Sequence, residues 1–337
     1  EAFRPVRVWV PSAAILGTDV FDRFIAGNGL LSAAVAGLDD RELLGRFLES
    51  PLPEDVVVAL SHYLDAMRAP LAVRSSSLLE DSLRLPAAGV YPTIMLGNNS
   101  SDHASRVRQV CDAIRHIYAA TFFRGARVYL ESTGNLVEDE KMAVVLQEIV
   151  GRTHGRYVYP DVSGTADSIN FYPVREMEAH DGVAIAALGL GMTVASGERA
   201  VRFSPAHPRW LPQFSTPADT LENAQRQFRA LDLDRAPDLA EPMLADSNVV
   251  RLPLDAAEGH GTLWPVVATY SPDDDAVFDG LGRPGVRLVT LAPILKHGVF
   301  PLPGILMRLL RLGELAMATG VQVEFAVDLA PLDGGGA

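Results

Sequence analysis

Residues 71–81, Leu-Ala-Val-Arg-Ser-Ser-Ser-Leu-Leu-Glu-Asp, constrain this chain more than any other stretch. Leu71, Ala72 and Val73 read as a short buried strand that runs out at Arg74 into Ser75, Ser76 and Ser77. An arginine and several hydroxyls at the mouth of a strand make a phosphate grip, because the guanidinium is a planar, permanently charged fork and the hydroxyls add donors. Gly89-Val-Tyr-Pro-Thr93 follows, a small-residue turn able to fold over the same phosphates. Glu80 and Asp81 fit two readings, as groups that orient Arg74 or as a solvated acidic turn.

Composition narrows the function classes. The chain has 337 residues, 48% hydrophobic and 21% charged, enough for one large domain or two lobes. A net charge of −13 argues against a nucleic-acid partner. No apolar run is long enough to predict a membrane span, and the start, followed by a strand-like Val-Arg-Val-Trp-Val at 6–10, reads as no secretory leader. The single cysteine, Cys111, forbids an intrachain disulfide, which fits a reducing, cytoplasmic setting. It shares the apolar face of a predicted helix with Val107, Val110, Ile114 and Ile117, so it reads as a small core hydrophobe. Lys141 and Lys296 are the only lysines.

Periodicity organises the rest. Residues 18–27 predict a helix capped by Thr18, with Val20, Phe21, Phe24 and Ile25 as its apolar stripe. Further helices are predicted near 40–49, 54–67, 103–120 and 218–230. Residues 141–150 predict a strand, followed by two aromatic β segments, 156–160 and 168–173, and by strands near 265–269 and 287–291. In residues 143–150, period two puts Ala143, Val145, Gln147 and Ile149 on one face and Val144, Leu146, Glu148 and Val150 on the other. In residues 321–328, Val321, Val323, Phe325 and Val327 point into a core, and Gln322, Glu324, Ala326 and Asp328 point away. The expected division is an N-terminal lobe over 1–135, a second lobe over 136–330 with an elaboration at about 205–290, and a disordered Gly-rich tail over 331–337. No zinc-ligand spacing, Walker sequence or nucleophile elbow occurs.

The string AVRSSSLLEDS at 72–82, followed by AAGVYPTIML at 87–96, resembles the nucleotide-binding part of phosphoenolpyruvate synthase and pyruvate phosphate dikinase. That family writes a V-R-S-S or V-R-S-G strand end, an acidic pair and an A-G-x-x-x-T-x-L segment. VPSAAILGTDVFDRF at 10–24 is similar to the family's entry segment, VVLQEIV at 144–150 to its adenine-pocket strand, and ALGLGMTVASG at 187–197 to its G-L-G-E segment. VQVEFAVD at 321–328 is similar to its D-x-E strand. The resemblance implies an α+β, ATP-grasp-like fold in two lobes with the nucleotide between them.

It also implies roles. Arg74, with Ser75, Ser76, Gly89 and Thr93, would hold the ATP phosphates, and Gln147 would read adenine, with Glu148 a second candidate at the ribose. Glu324 would hold Mg2+, with Gln322 standing where the family has a carboxylate. Met192 likewise replaces a glutamate. Lys296 fits two readings, a phosphate contact or a lysine of a structural loop, and Asp273–Asp275 read as a solvated acidic loop. The family's phosphate-binding lysine and its Q-x-R-P return strand have no counterpart in residues 1–337, so the chain is expected to be truncated at both ends of the site and inactive alone. The implied activity is that of an ATP-dependent phosphotransferase. Phosphate would pass from Mg-ATP to a histidine on a domain outside this chain, and then to an acceptor such as pyruvate, yielding phosphoenolpyruvate. A non-catalytic nucleotide-sensing module is the other reading, motivated by Met192 and Gln322.

Overall fold

A computed structural model describes residues 6–77, 90–174 and 176–329. The chain divides into two compact units. The first comprises Val10–Ile149 and Leu231–Val249; the second comprises the described residues in 6–9, 150–230 and 250–329.

The first unit is built on four antiparallel strands, β1 (Ala13–Leu16), β2 (Leu71–Ser76), β3 (Thr93–Leu96) and β4 (Ala143–Glu148), in the order β1-β4-β2-β3. Leu71, Val73, Ile94, Leu96, Val144 and Leu146 fill one face and are buried. Alternation therefore leaves Arg74, Thr93, Val145 and Gln147 on the other. The buried face packs on helices α1 (Thr18–Gly27), α2 (Leu31–Val35), α3 (Asp40–Glu49), α4 (Glu54–Ala66), α5 (His103–Ala120) and α6 (Arg124–Thr133). Their shared core is aromatic: the Phe21 ring meets Tyr118 edge-on at 5.1 Å, and Phe24 lies 5.8 Å from Phe47. Such pairs contribute about 0.5–1.5 kcal/mol each beyond the area they bury. Cys111 is buried in the same core.

Helix ends follow local chemistry. Asp39 accepts from the backbone N–H groups of Arg41 and Glu42, and Asp102 from that of Ser105. Thr18 is not the expected cap; Gly17 takes that place and Thr18 is already helical. The last turn of α4 is closed by Arg106 of α5. This fully buried guanidinium donates to the carbonyls of Leu64 (2.9 Å) and Met67 (3.2 Å) and to Asn98 Oδ1 (3.2 Å). Those carbonyls have no further turn of helix to bond them.

The first unit extends past residue 135, the expected lobe boundary, to Ile149, because β4 pairs with both β1 and β2 and cannot leave their sheet. Residues 231–249, part of the expected elaboration, also belong here. Asn99 Nδ2 donates to Leu233 O (2.9 Å), Asn248 Nδ2 to Met95 O (2.7 Å), and His116 Nδ1 meets Leu239 O (3.0 Å).

The second unit holds three sheets. One has the order β15-β7-β8-β9, from β7 (Val162–Asp167), β8 (Val183–Ala187), β9 (Val201–Phe203) and β15 (Gln322–Val327). A second has the order β11-β10-β6-β5, from β5 (Arg152–His154), β6 (Tyr157–Tyr159), β10 (Gln227–Asp232) and β11 (Val249–Pro253). The third has the order β13-β12-β14, from β12 (Val267–Ser271), β13 (Ala276–Asp279) and β14 (Val286–Val289). Helices α7 (Met192–Ala195), α8 (Pro217–Asn223), α9 (Leu254–Gly259), α10 (Ala292–Leu295) and α11 (Leu302–Met317) complete it. Leu302, Leu306 and Leu310 of α11 share a core with Val162, Ala166, Ala184 and Val327.

Three sequence expectations shift. Residues 6–10 form no strand. The strand expected at 168–173 lies just before it, at β7, because the Asn170 side chain accepts from Tyr172 N (3.1 Å) and turns the chain. The helix expected over 218–230 ends at Asn223, and Gln227–Asp232 is a strand. Buried Gln225 makes the change of course, its amide bonding both the N–H and the C=O of Leu188 (2.9 Å each). The tail at 331–337 lies outside the described residues.

Two buried polar groups in the first unit generate predictions. Arg106→Met should leave the end of α4 without donors and lower the unfolding free energy by about 3 kcal/mol, read from urea unfolding. Glu140 is buried beside Tyr91, whose hydroxyl donates to it at 3.4 Å. Burial raises its pKa above the ordinary 4.5, an effect that hydrogen bonds from Ser77 and Tyr91 oppose. The fold therefore favours the protonated form, and this carboxyl costs stability as pH rises through its folded-state pKa. Glu140→Gln should raise Tm near neutral pH, and the gain should vanish by about pH 4, where the carboxyl is protonated in both states.

Candidate functional site

In the first unit the antiparallel register decides which side chains share a face. Arg74 stands opposite Thr93 on β3 and Val145 on β4, while Ala72 stands opposite Gln147. Arg74 donates to Gln147 Oε1 at 3.2 Å. The two residues expected to hold phosphate and adenine are therefore direct neighbours on the less buried face. Ser76, exposed, and Thr93, half-buried, have the same parity. This face offers one fixed cation, two hydroxyls and an amide, a set suited to an anion joined to a hydrogen-bonding ring.

The strand continues through Ser76, and that separates the serines. Ser75 is buried on the core face opposite Val144, so its hydroxyl does not accompany the Arg74 guanidinium. Glu148 likewise falls on the opposite face from Gln147. It acts on Tyr63, whose pKa is raised first by burial and then by the Glu148 charge. Gly89, Glu80 and Asp81 lie outside the described residues.

In the second unit, β15 is an edge strand of its sheet among the described residues. Its register puts Glu324 opposite Thr165 and Gln322 opposite Asp167. Val327 is buried, and Val323 and Phe325 pack against the core, whereas Gln322 and Glu324 are exposed, as alternation requires. Sequence reasoning missed Asp167. Its strand carries Gly164 and Ala166 toward the core instead of large β-branched residues, so the usual strand signal is weak there. Gln322 Nε2 donates to Asp167 Oδ1 at 2.7 Å. Burial raises the Asp167 pKa, and this hydrogen bond offsets part of the rise. Asp328 leaves the row and pairs with Arg152 at 2.7 Å.

Lys296 is held elsewhere in the second unit. Its ammonium lies 3.3 Å from Asp279 Oδ1, and His297 Nε2 lies 2.9 Å from Oδ2 of the same carboxylate. It lines a cleft of about 370 Å³ with Arg209, Thr216 and Thr290. Gly189 serves packing. Gly189 has φ +90, and a Cβ there would lie 2.5 Å from the carbonyl oxygen of Arg229. That glycine lets the end of β8 run against β10, and Met192 opens the short helix α7.

One cluster imitates a nucleophile with its base. Ser61 Oγ is 2.9 Å from His103 Nε2, and Asp65 is 3.6 Å from His103 Nδ1. However, Arg106 donates to that Nδ1 at 2.9 Å. A guanidinium can only donate, so Nδ1 is the acceptor and Nε2–H points at Ser61. This tautomer cannot take the serine proton. Among the described residues no cluster of three His, Cys, Asp or Glu side chains forms a metal centre, and no helix is long and apolar enough to cross a membrane.

Among curated proteins none matches the chain. The family model of the pyruvate phosphate dikinase AMP/ATP-binding domain matches residues 1–212 of the 337. That span includes β2, β3, β4, β7 and β8 and thus the whole Arg74 face, while β15 lies beyond it. The α+β architecture of antiparallel sheets and helices agrees with the ATP-grasp-like fold of that domain. The chain belongs to the pyruvate phosphate dikinase AMP/ATP-binding domain family.

Proposed function

We propose that this chain binds Mg-ATP and passes phosphate to a histidine on a domain outside residues 1–337, from which it reaches an acceptor such as pyruvate. The observation that carries the reading is the Arg74 row. A permanently charged fork, the Ser76 and Thr93 hydroxyls and the Gln147 amide share one face of an antiparallel sheet, in a chain of a nucleotide-binding family.

Phosphoryl transfer asks little covalent chemistry of a protein. It asks for positioning and for neutralisation of charge on the transferred group. Arg74 supplies a bidentate cation for the phosphate oxygens, and its bond to Gln147 aims it. Ser76 and Thr93 add neutral donors beside it. Gln147 keeps its amide N–H to offer to a base edge while its carbonyl oxygen accepts from Arg74. The charge of the nucleotide also calls for a divalent cation. On β15, Gln322 and Glu324 provide oxygen donors, which suit a hard ion such as Mg2+. When bound, that ion neutralises phosphate charge. Lys296 takes no part in this reading, since Asp279 already neutralises it.

The second reading, a nucleotide sensor without transfer, draws on Met192 and Gln322, both neutral where the family resemblance implies acids. It predicts binding without labelling of any histidine. In the first reading, ATP labelled in both its β- and γ-phosphates should give an acid-labile, base-stable label on the histidine-bearing domain, dependent on this chain. ATP binding without any such label, with the histidine domain present, favours the sensor. Arg74→Ala should weaken ATP binding by about 10- to 100-fold in calorimetric titration, the usual worth of one charged hydrogen-bonding group. Arg74→Lys should recover only part of it. ATP affinity unaltered by Arg74→Ala would remove the proposed phosphate grip.

A further inference from the structure

We propose that Asp167 is a metal-binding carboxylate of this chain, supplying beside Glu324 the negative charge that Gln322 lacks. The inference rests on the Mg-ATP reading above and deepens it at one residue. Asp167 lies on β7, far in sequence from β15 and without any motif to announce it.

Register brings it in. Asp167 is directly opposite Gln322, and Glu324 is directly opposite the neighbouring same-face residue, Thr165. Directly opposed side chains on an antiparallel pair have Cβ atoms about 5 Å apart, and diagonal ones about 7 Å. Asp167 and Glu324 are such a diagonal pair. Two carboxylates at that spacing, one of them on the longer glutamate stem, can converge on one ion. A β15 shifted by one residue would instead turn Glu324 into the core, so the buried Val327 and the packed Phe325 hold the pair on one face.

The surroundings of Asp167 point the same way. It is half-buried, yet its hydrogen-bond partner is the neutral amide of Gln322, and no cation pairs with it among the described residues. By contrast, Asp161 is neutralised by Arg152 at 2.9 Å, and Glu198 by Arg229 and by Arg251. A carboxylate removed from water without a counter-charge costs free energy that a bound cation would offset. The bond between Gln322 and Asp167 also fixes the amide. With Nε2 donating to Asp167, the Gln322 Oε1 is left as an acceptor in the same row. Asp167, Glu324, Gln322 and the Thr165 hydroxyl then form an all-oxygen set with two negative charges, the donor chemistry of Mg2+ or Mn2+. The neutral residue at 322 is thereby compensated across the strand pair.

The test is Mn2+ binding to the intact protein in the presence of ADP, read from the electron paramagnetic resonance signal of free Mn2+. Asp167→Asn, close in shape but uncharged, should weaken Mn2+ at least about tenfold, while metal-free ADP affinity stays within about twofold. The swap Asp167→Gln with Gln322→Asp returns a carboxylate to the directly opposed position and should restore Mn2+ affinity to within a few-fold of wild type. Thermal melts establish that each variant is folded, and the swap serves if Asp167→Asn is not. Glu324→Gln separates the two levels of the argument. If it weakens Mn2+ but Asp167→Asn does not, the Asp167 assignment is overturned and the metal reading of β15 stands. If neither substitution changes Mn2+ affinity, or the wild type binds none, both are overturned.

Discussion

The proposed binding residues depend on the two-residue period of antiparallel strands, held in register by a buried face. In the first unit, Val73, Val144, Leu146 and Ile94 cannot leave the core. Arg74, Thr93 and Gln147 are therefore presented on the opposite face without any loop having to place them. In the second, the buried Val327, with Phe325 packed on the same side, does the same for Glu324, and through pairing with β7 for Thr165 and Asp167. A slip of one residue in either sheet would exchange the polar row for the apolar one. Sites built on strands in this way are rigid, which suits the proposed phosphoryl transfer, whose catalysis is mostly positioning.

The cores enforcing these registers differ in kind. The first unit uses an aromatic cluster of Phe21, Phe24, Phe47, Tyr118 and Phe122 beneath its sheet, with Arg106 closing a helix end by donating to carbonyls rather than to a carboxylate. The second uses small residues where strands and turns crowd one another, as at Gly189, and a side-chain amide, Gln225, that pairs with backbone as a strand would. Buried polar groups in both units are mostly matched by partners. Asp167 is matched by a neutral amide, as Glu140 is by the Tyr91 hydroxyl.

Much of this was legible from residues alone. The strand at Arg74, the helices over 40–49 and 103–120, and the alternation in β15 all have strong periods, and a strong period survives tertiary context. The family was legible as well, because several spaced motifs agreed. Side-chain direction at Ser75 was hidden, since nothing local says whether a strand ends at Arg74 or runs on through Ser76. The β7 strand was hidden because its Gly164 and Ala166 face a crowded core. The helix expected to reach residue 230 was cut short by long-range pairing of Gln227–Asp232, which local propensity does not register. Asp167 was invisible for a related reason: its meaning comes only from the strand opposite it.

The proposed function stands or falls on nucleotide phosphate binding the open face of the Arg74 strand. A crystal structure of the intact protein with Mg2+ and a non-hydrolysable ATP analogue tests it directly. The expected result is phosphate oxygens within hydrogen-bond distance of the Arg74 guanidinium, with the base reached by Gln147. A nucleotide bound elsewhere, for instance in the cleft lined by Arg209 and Lys296 with Arg74 still bonded only to protein, would contradict it.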